Sequence, residues 1–412
     1  MSGTYRLLLR APGAAAFYFT AAVGRIGIAM TSLAIIWLVH DLTGSYASAG
    51  LVTGAFAVAE GVVGPQSARL IDRFGQTRVL PPLLTLHAVA VTALLASIRT
   101  GAPVSALIII GIGMGASIPQ LGALSAARWA ALVRRLSRPE LLPSAFSLES
   151  LSNATAYLVG PVSVSVVGAV GHPALATAAA AGLVIGGGVA LAAQRSTAPP
   201  TETGPSRYGS QARRLLRPVF VLLLAVNLAI GIYFGAVQVS VTAFATEQAA
   251  SGSAATLYAV ASLAGLLGGW LFGLRTWRAR PTTQLLTATA VLTLAALLVT
   301  AGRSFLGMAI ALGLAGFAIP PILVLASVLA ERQVDRAVLT QAFTWLNSAS
   351  AAGSAAAAAV AGLVIDTFQA RGGFGLAALA ALTMTLLAAL IVKANTTPTP
   401  ASERPAHRQH SR

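Results

Sequence analysis

Twelve runs of apolar residues, each long enough to cross a bilayer, leave this chain almost no freedom in what it can fold into. They lie near residues 14–39, 45–67, 79–98, 103–127, 141–169 and 173–194, and again near 218–245, 254–274, 282–301, 305–330, 340–365 and 373–392. A helix of about 20 apolar residues spans the hydrocarbon layer. Membrane strands are shorter and alternate in polarity, which these runs do not. Only 9% of the 412 residues are charged and 56% are hydrophobic. A soluble domain carries about 25% charged residues, so this chain could not cover itself in water. The expectation is an all-α polytopic membrane protein with twelve transmembrane helices. The first run follows Arg6 and Arg10, as a signal peptide would, but it is too long for one and is read as a retained span.

The runs fall into two sets of six, and the sets echo each other. Gly115-Ala116-Ser117-Ile118-Pro119-Gln120-Leu121 returns as Gly316-Phe317-Ala318-Ile319-Pro320-Pro321-Ile322. Gly64 and Ala68 return as Gly265 and Gly269, and Ala145-Phe146-Ser147-Leu148 as Ala342-Phe343-Thr344-Trp345. The order is kept and the spacing nearly so, which predicts two six-helix pseudo-repeats. Residues 1–195 form the first bundle and 218–395 the second. Between them, 196–217 is a proline- and glycine-containing stretch with a basic cluster, read as a cytoplasmic linker. Residues 396–412, with Pro398, Pro400 and Pro405, are expected to be a disordered cytoplasmic tail. Duplicated apolar chains of this kind are often carriers with a site between the halves.

The net charge of +16 suggests nucleic acid until its placement is considered. Arg25 lies within the first run. Only Arg99, Arg303 and Arg371 fall in loops on one side of the bilayer, and the other basic residues fall on the opposite side. Basic residues resist translocation. The bias therefore predicts a multi-pass protein of the plasma membrane with both termini cytoplasmic, in contact with lipid headgroups and not with nucleic acid.

The loop after the second run reads Ala68-Arg69-Leu70-Ile71-Asp72-Arg73-Phe74-Gly75-Gln76-Thr77-Arg78. Gly75 permits a tight turn, and Asp72 can accept hydrogen bonds at a helix end. The stretch resembles the G-x-x-x-D-R-x-G-x-x-R signature of the major facilitator superfamily. Asp72, Arg73, Gly75 and Arg78 match, and Ala68 stands where the family has glycine. The resemblance implies a cytoplasmic gate at these four residues, with Asp72 meeting an arginine or a helix terminus when the carrier faces outward. Leu158-Val159-Gly160-Pro161 is a partial version of the family's helix-5 antiporter signature. Phe146 to Ser150, Ala127 to Leu132, Phe234 to Gln238 and Gly268 to Gly273 also resemble actinobacterial efflux-type members. The family's drug–proton antiporters carry an arginine in helix 4. The run at 103–127 has none, so the resemblance leaves Arg25 to substitute.

A charge at mid-bilayer costs about 2.5–3.5 kcal/mol on insertion scales, so Arg25 needs an interior carboxylate. Glu149 and Glu60 are the candidates, and the three form the proposed proton-coupling group. Gln120, Asn153, Asn227, Gln238, Trp345 and Asn347 are candidate substrate-binding residues, because polar groups within spans either face a substrate or bond between helices. His87 is read as packing, and Gly265, Gly269 and Gly273 as a face for close helix approach.

With no cysteine and Lys393 as its only lysine, the chain has neither a thiolate metal site nor a phosphate loop. No metal, cofactor or enzymatic active site is expected. The reading is a secondary active transporter that acts as a monomer. It would export a small, partly hydrophobic drug or metabolite by alternating access, driven by protons. The alternatives are an uptake permease or a non-transporting membrane sensor or scaffold.

Overall fold

The computed structural model describes residues 3–169, 172–200, 217–247, 252–275, 277–302 and 304–396. Most of the expected linker and nearly all of the expected tail lie outside these residues. Among the described residues, twelve helices are long and apolar enough to cross a membrane. They are, in order, spans 1 to 6 at Ala14–Thr43, Tyr46–Phe74, Gln76–Thr100, Val104–Arg135, Pro139–Gly168 and Pro173–Ala193. Spans 7 to 12 are Pro218–Phe244, Thr256–Leu274, Pro281–Ala301, Phe305–Gln333, Arg336–Ile365 and Thr367–Ala394. The chain is thus a multi-pass membrane protein built from two groups of six helices.

Three features depart from the sequence reading. A separate short helix, Gly3–Arg10, precedes span 1 and is pinned by buried Tyr5 and Leu8. Spans 11 and 12 join without a loop: the chain turns at Gln369 (φ 58), so Arg371 is helical and not in a connecting segment. Span 4 runs on to Arg135 but is broken into two helices, Val104–Ser117 and Leu121–Arg135. Arg128, which falls just beyond the expected run, lies in the second of these helices and is fully buried.

Proline explains the break only in part. Pro119 lacks an amide and cannot donate to the preceding turn. Yet the matching Pro320-Pro321 sits inside one unbroken helix, span 10. There the Pro320 ring lies against Gly265 and Gly269 of span 8, which leave room for it. In the first half the equivalent Gly64 faces the Gln120 side chain instead. The repeated strings thus meet different neighbours.

Within each half the helices touch backbone to backbone. Gly115 of span 4 packs on the Phe56 carbonyl of span 2, and its repeat partner Gly316 of span 10 packs on the Ala261 carbonyl of span 8. Gly231 of span 7 lies on the Ser350 carbonyl of span 11. Such contacts matter because apolar helices gain little by exchanging lipid for one another, and close van der Waals approach must hold them together.

Between the halves the contacts are fewer. Span 2 packs on span 11, span 5 on spans 8 and 10, and span 4 on span 11 only through its second segment, Leu121–Arg135. All of these lie toward the end of the bundle at which spans 6 and 7 begin the connection between halves, here termed the linker end. Spans 1 and 7 have no extensive contact across the divide.

The close approach of spans 7 and 11 makes a specific prediction. Gly231→Ala places a methyl group on the Ser350 carbonyl and should cost about 1–3 kcal/mol through overpacking. Gly54→Ala, which meets nothing within 4 Å, should be neutral or slightly stabilising. Thermal unfolding of the two purified variants, read side by side, checks this. Equal melting temperatures would show that the two spans are not held by this contact.

Candidate functional site

The break in span 4 brings the polar residues of the first half together. Arg25 and Glu149 are only 7% and 8% exposed, and they form an ion pair through Arg25 Nη2 and Glu149 Oε2. Arg25 Nη1 also donates to the Glu149 backbone carbonyl, at 3.0 Å. The other carboxylate oxygen, Oε1, accepts from Ser125 Oγ at 2.6 Å. Ser125 lies one turn into the second segment of span 4. The Tyr18 hydroxyl donates to the neighbouring Leu148 carbonyl at 3.2 Å. The carboxylate is therefore fully engaged, whereas Arg25 Nε has no partner. Gly160-Pro161 serves this arrangement as a packing device: Gly160 lets span 5 lie against Ala29 and the Ile26 carbonyl of span 1.

Glu60 does not join Arg25. It is partly exposed and accepts a long hydrogen bond from Gln120 Nε2, at 3.5 Å. Tyr157 of span 5 is 63% exposed. Asn153 is one turn from Tyr157 on the same face and is also exposed. Phe146, two turns from Asn153, meets Phe343 of the other half edge to face at 5.5 Å. Asn347, one turn beyond Phe343, is exposed on the matching face of span 11. Asn153, Asn347 and Tyr157 are thus exposed on the helix faces that carry the Phe146–Phe343 contact.

The remaining candidates are placed elsewhere. Trp345 is two residues from both Phe343 and Asn347 and so points to the other side of span 11. Asn227 is buried, and its amide donates to the Leu223 carbonyl of its own helix at 2.9 Å. Gln238 lies far from the linker end, where its backbone carbonyl accepts from Tyr258. His87 is fully buried beside the break, with Nδ1 3.3 Å from both the Met114 carbonyl and Ser117 Oγ.

At the linker end, the two Asp72 oxygens accept from the amides of Thr340 (3.2 Å) and Gln341 (2.8 Å). An anion at a helix N-terminus is favoured by its free amides and dipole, so Asp72 of one half caps span 11 of the other. Gly75 ends span 2 at φ 91 and ψ 146, a backbone shape open only to glycine. Arg73 stacks over Phe74 and Arg78 is exposed, so neither meets Asp72. Arg134 pairs with Glu331 across the halves at 2.7 Å, and Ser144 Oγ donates to the Gly273 carbonyl at 2.6 Å. Arg128, which sequence reasoning assigned to a loop, instead ties the end of span 6 to span 4. It donates to Gln76 Oε1 (2.7 Å), Thr197 Oγ1 (2.6 Å) and the carbonyls of Leu191 and Gln194 (both 2.9 Å). The apolar residues Leu132 and Val133 after Arg128 are the signal that the span continues.

Two six-helix halves that meet through polar pairs at one end have the architecture of a secondary membrane transporter. The sequence model of the Major Facilitator Superfamily matches residues 17–333, and the chain belongs to that family. No curated protein matches the sequence. The fold is similar to a bacterial homologue of the iron transporter ferroportin in its outward-facing state, with a TM-score of 0.76 and 13% identity over 92% of this chain and 99% of that one. It is also similar to the FucP transporter in an outward conformation, with a TM-score of 0.67 and 14% identity over 91% and 98% of the two chains. A third similar structure is the human organic anion transporter MFSD10, with a TM-score of 0.64 and 16% identity over 94% and 100%.

Removing one partner of a buried ion pair strands the other charge, at a cost of about 3–5 kcal/mol. Arg25→Gln and Glu149→Gln should each lower the yield and melting temperature of the purified protein. The double variant should recover much of that loss. A double variant no more stable than its parents would show that the pair does not hold spans 1 and 5 together.

Proposed function

We propose that this protein is a secondary transporter that exports a small, partly hydrophobic molecule, a drug or metabolite, in exchange for protons. The observation that carries the reading is the distribution of contacts between the halves. Asp72 on the span 11 amides and Arg134 on Glu331 lie at the linker end, while Asn153, Asn347 and Tyr157 are exposed on the helix faces that carry the Phe146–Phe343 contact. Polar contacts of this kind can be exchanged for water at small net cost, so the halves can rock about a site they share. The arginine bias places the linker end and both termini in the cytoplasm of a plasma-membrane protein, and the present conformation then faces outward. The protein acts as a monomer. Arg25 and Glu149 carry the coupling: making and breaking their ion pair changes which conformation the first half favours.

Transport in proteoliposomes tests this. The Arg25→Gln, Glu149→Gln double variant should insert normally and allow passive exchange of substrate, yet build no concentration difference under a proton gradient. Substrate accumulation by that variant would place the coupling elsewhere, with Glu60 the next carboxylate to examine. The gate has its own test. Asp72→Asn keeps the side chain's shape but weakens the cap on span 11, by up to about 2 kcal/mol. Transport should slow and the linker end should open more often to a membrane-impermeant thiol reagent, read at a cysteine placed at Thr340. Substrate affinity should stay within about threefold, since the residue biases a conformational equilibrium. A collapse of affinity in a properly inserted protein would make Asp72 part of the binding site.

A further inference from the structure

We propose that the cavity between helix Gly3–Arg10 and the end of span 4 binds the headgroup of an anionic phospholipid, and that the bound lipid clamps the two halves together at the linker end. The site does not depend on what the protein transports.

The cavity has a volume of about 550 Å³ and is lined by Arg6, Leu7, Arg10 and Pro12 on one side and by Leu136 and Arg138 on the other. Arg6 and Arg10 are one helical turn apart and so share a face of their helix. Arg138 is brought to them by the way span 4 ends. Ser137 adopts φ 54, in the left-handed region that side chains disfavour. The Ser137 and Arg138 amides donate back to the Arg134 and Val133 carbonyls, at 2.9 and 3.3 Å. All three arginines are exposed, and none makes an ion pair or a side-chain hydrogen bond among the described residues. By contrast, Arg134 is engaged on Glu331, and Arg135 on the Ser196 and Ala198 carbonyls. Glu140, two residues after Arg138, is exposed and pairs with none of the three. Three unpaired guanidiniums around one cavity suit phosphate oxygens, which each can meet bidentately.

Lipid, and not a soluble phosphate, is the occupant that the surroundings fit. The helix has eight residues, too few to cross a bilayer. Span 1 begins at Ala14, one turn beyond Arg10, so the cavity sits where the chain enters the membrane. Leu7 and Leu136 are 39% and 36% exposed. That apolar surface suits a glycerol backbone and the first acyl carbons, and a free phosphate would leave it in water. Arginines outward with Tyr5 and Leu8 buried inward is the division of an interfacial helix.

The inward face of the helix reaches the joint between the halves. The Tyr5 hydroxyl donates to the Trp270 carbonyl of span 8 at 2.9 Å, and Gly273, one turn on, leaves room for it. The Gly273 carbonyl beside it accepts from Ser144 of span 5. A headgroup that fixes the outer face of this helix therefore favours the closed linker end.

The test is native mass spectrometry of the full-length protein released from nanodiscs of phosphatidylglycerol and phosphatidylcholine in equal amounts, with the same acyl chains. Wild type should retain phosphatidylglycerol over phosphatidylcholine by about tenfold or more, as three basic residues near a membrane surface act together. The Arg6→Gln, Arg10→Gln, Arg138→Gln triple variant should lower that ratio about fivefold or more. Arg275→Gln, Arg278→Gln, Arg280→Gln removes the same charge from other exposed positions and should leave the ratio unchanged. Lysine at positions 6, 10 and 138 keeps the charge that sets topology but lacks the planar fork, and should fall between wild type and the glutamine triple. Labelling of Thr340→Cys by a membrane-impermeant thiol reagent should be about threefold slower in discs containing phosphatidylglycerol than in phosphatidylcholine alone. Tyr5→Phe should keep the lipid bound and abolish that difference. A wild-type ratio near one, an equal fall in both glutamine triples, or displacement of the lipid by glycerol 1-phosphate would overturn the site, the last making it one for soluble phosphates. If the glutamine triple fails to insert, a lysine triple with the wild-type ratio overturns the site. Selective binding with unchanged labelling upholds the lipid site and overturns the clamp.

Discussion

Lipid as solvent decides what can hold this protein together. An apolar side chain gains little by leaving acyl chains for another helix, so packing within each half depends on how closely two backbones approach. Glycine supplies that approach at Gly115, Gly231 and Gly316, each against a carbonyl of a neighbouring span. These contacts are dry and steric. The contacts between halves include polar ones beside the edge-to-face contact of Phe146 and Phe343. A carboxylate on two amides, an arginine–glutamate pair and a serine on a carbonyl all lie at one end of the bundle.

The same solvent explains why the polar groups of the first half sit together. A mid-membrane arginine and a mid-span helix end are each costly alone. Placing Arg25, Glu149 and Ser125 at the break of span 4 lets them answer one another. The second half has no equivalent cluster among its described residues. Its span 10 stays continuous and its Asn227 satisfies itself on its own helix. The two repeats share a scaffold and differ in chemistry.

Much of this was legible in the residues. A buried arginine requires a carboxylate, and few carboxylates occur within spans, so the partner of Arg25 could be narrowed to Glu149 or Glu60 without a structure. Asp72, three residues before a glycine between two apolar runs, marked a turn whose carboxylate would seek a helix end. Arg128 was misplaced because it looked like the end of an apolar run. Only burial against the carbonyls of span 6 shows why a charge is tolerated there. Asn227 and Trp345 had the right residue type on the expected spans, but the Asn227 amide is taken by its own helix and helical phase turns Trp345 away from Phe343 and Asn347.

What the sequence determined by itself was the number of spans, the duplication and the need for an interior ion pair. Each follows from a local constraint: bilayer thickness sets the length of an apolar run, and the cost of an unpaired charge demands a partner. Tertiary structure decided where the helices break. Pro119 and Pro320 lie in nearly the same string, yet one span is interrupted and the other is not. Pro320 lies against Gly265 and Gly269, whereas Gly64 faces Gln120, so the neighbours that each string meets come from parts of the chain distant in sequence.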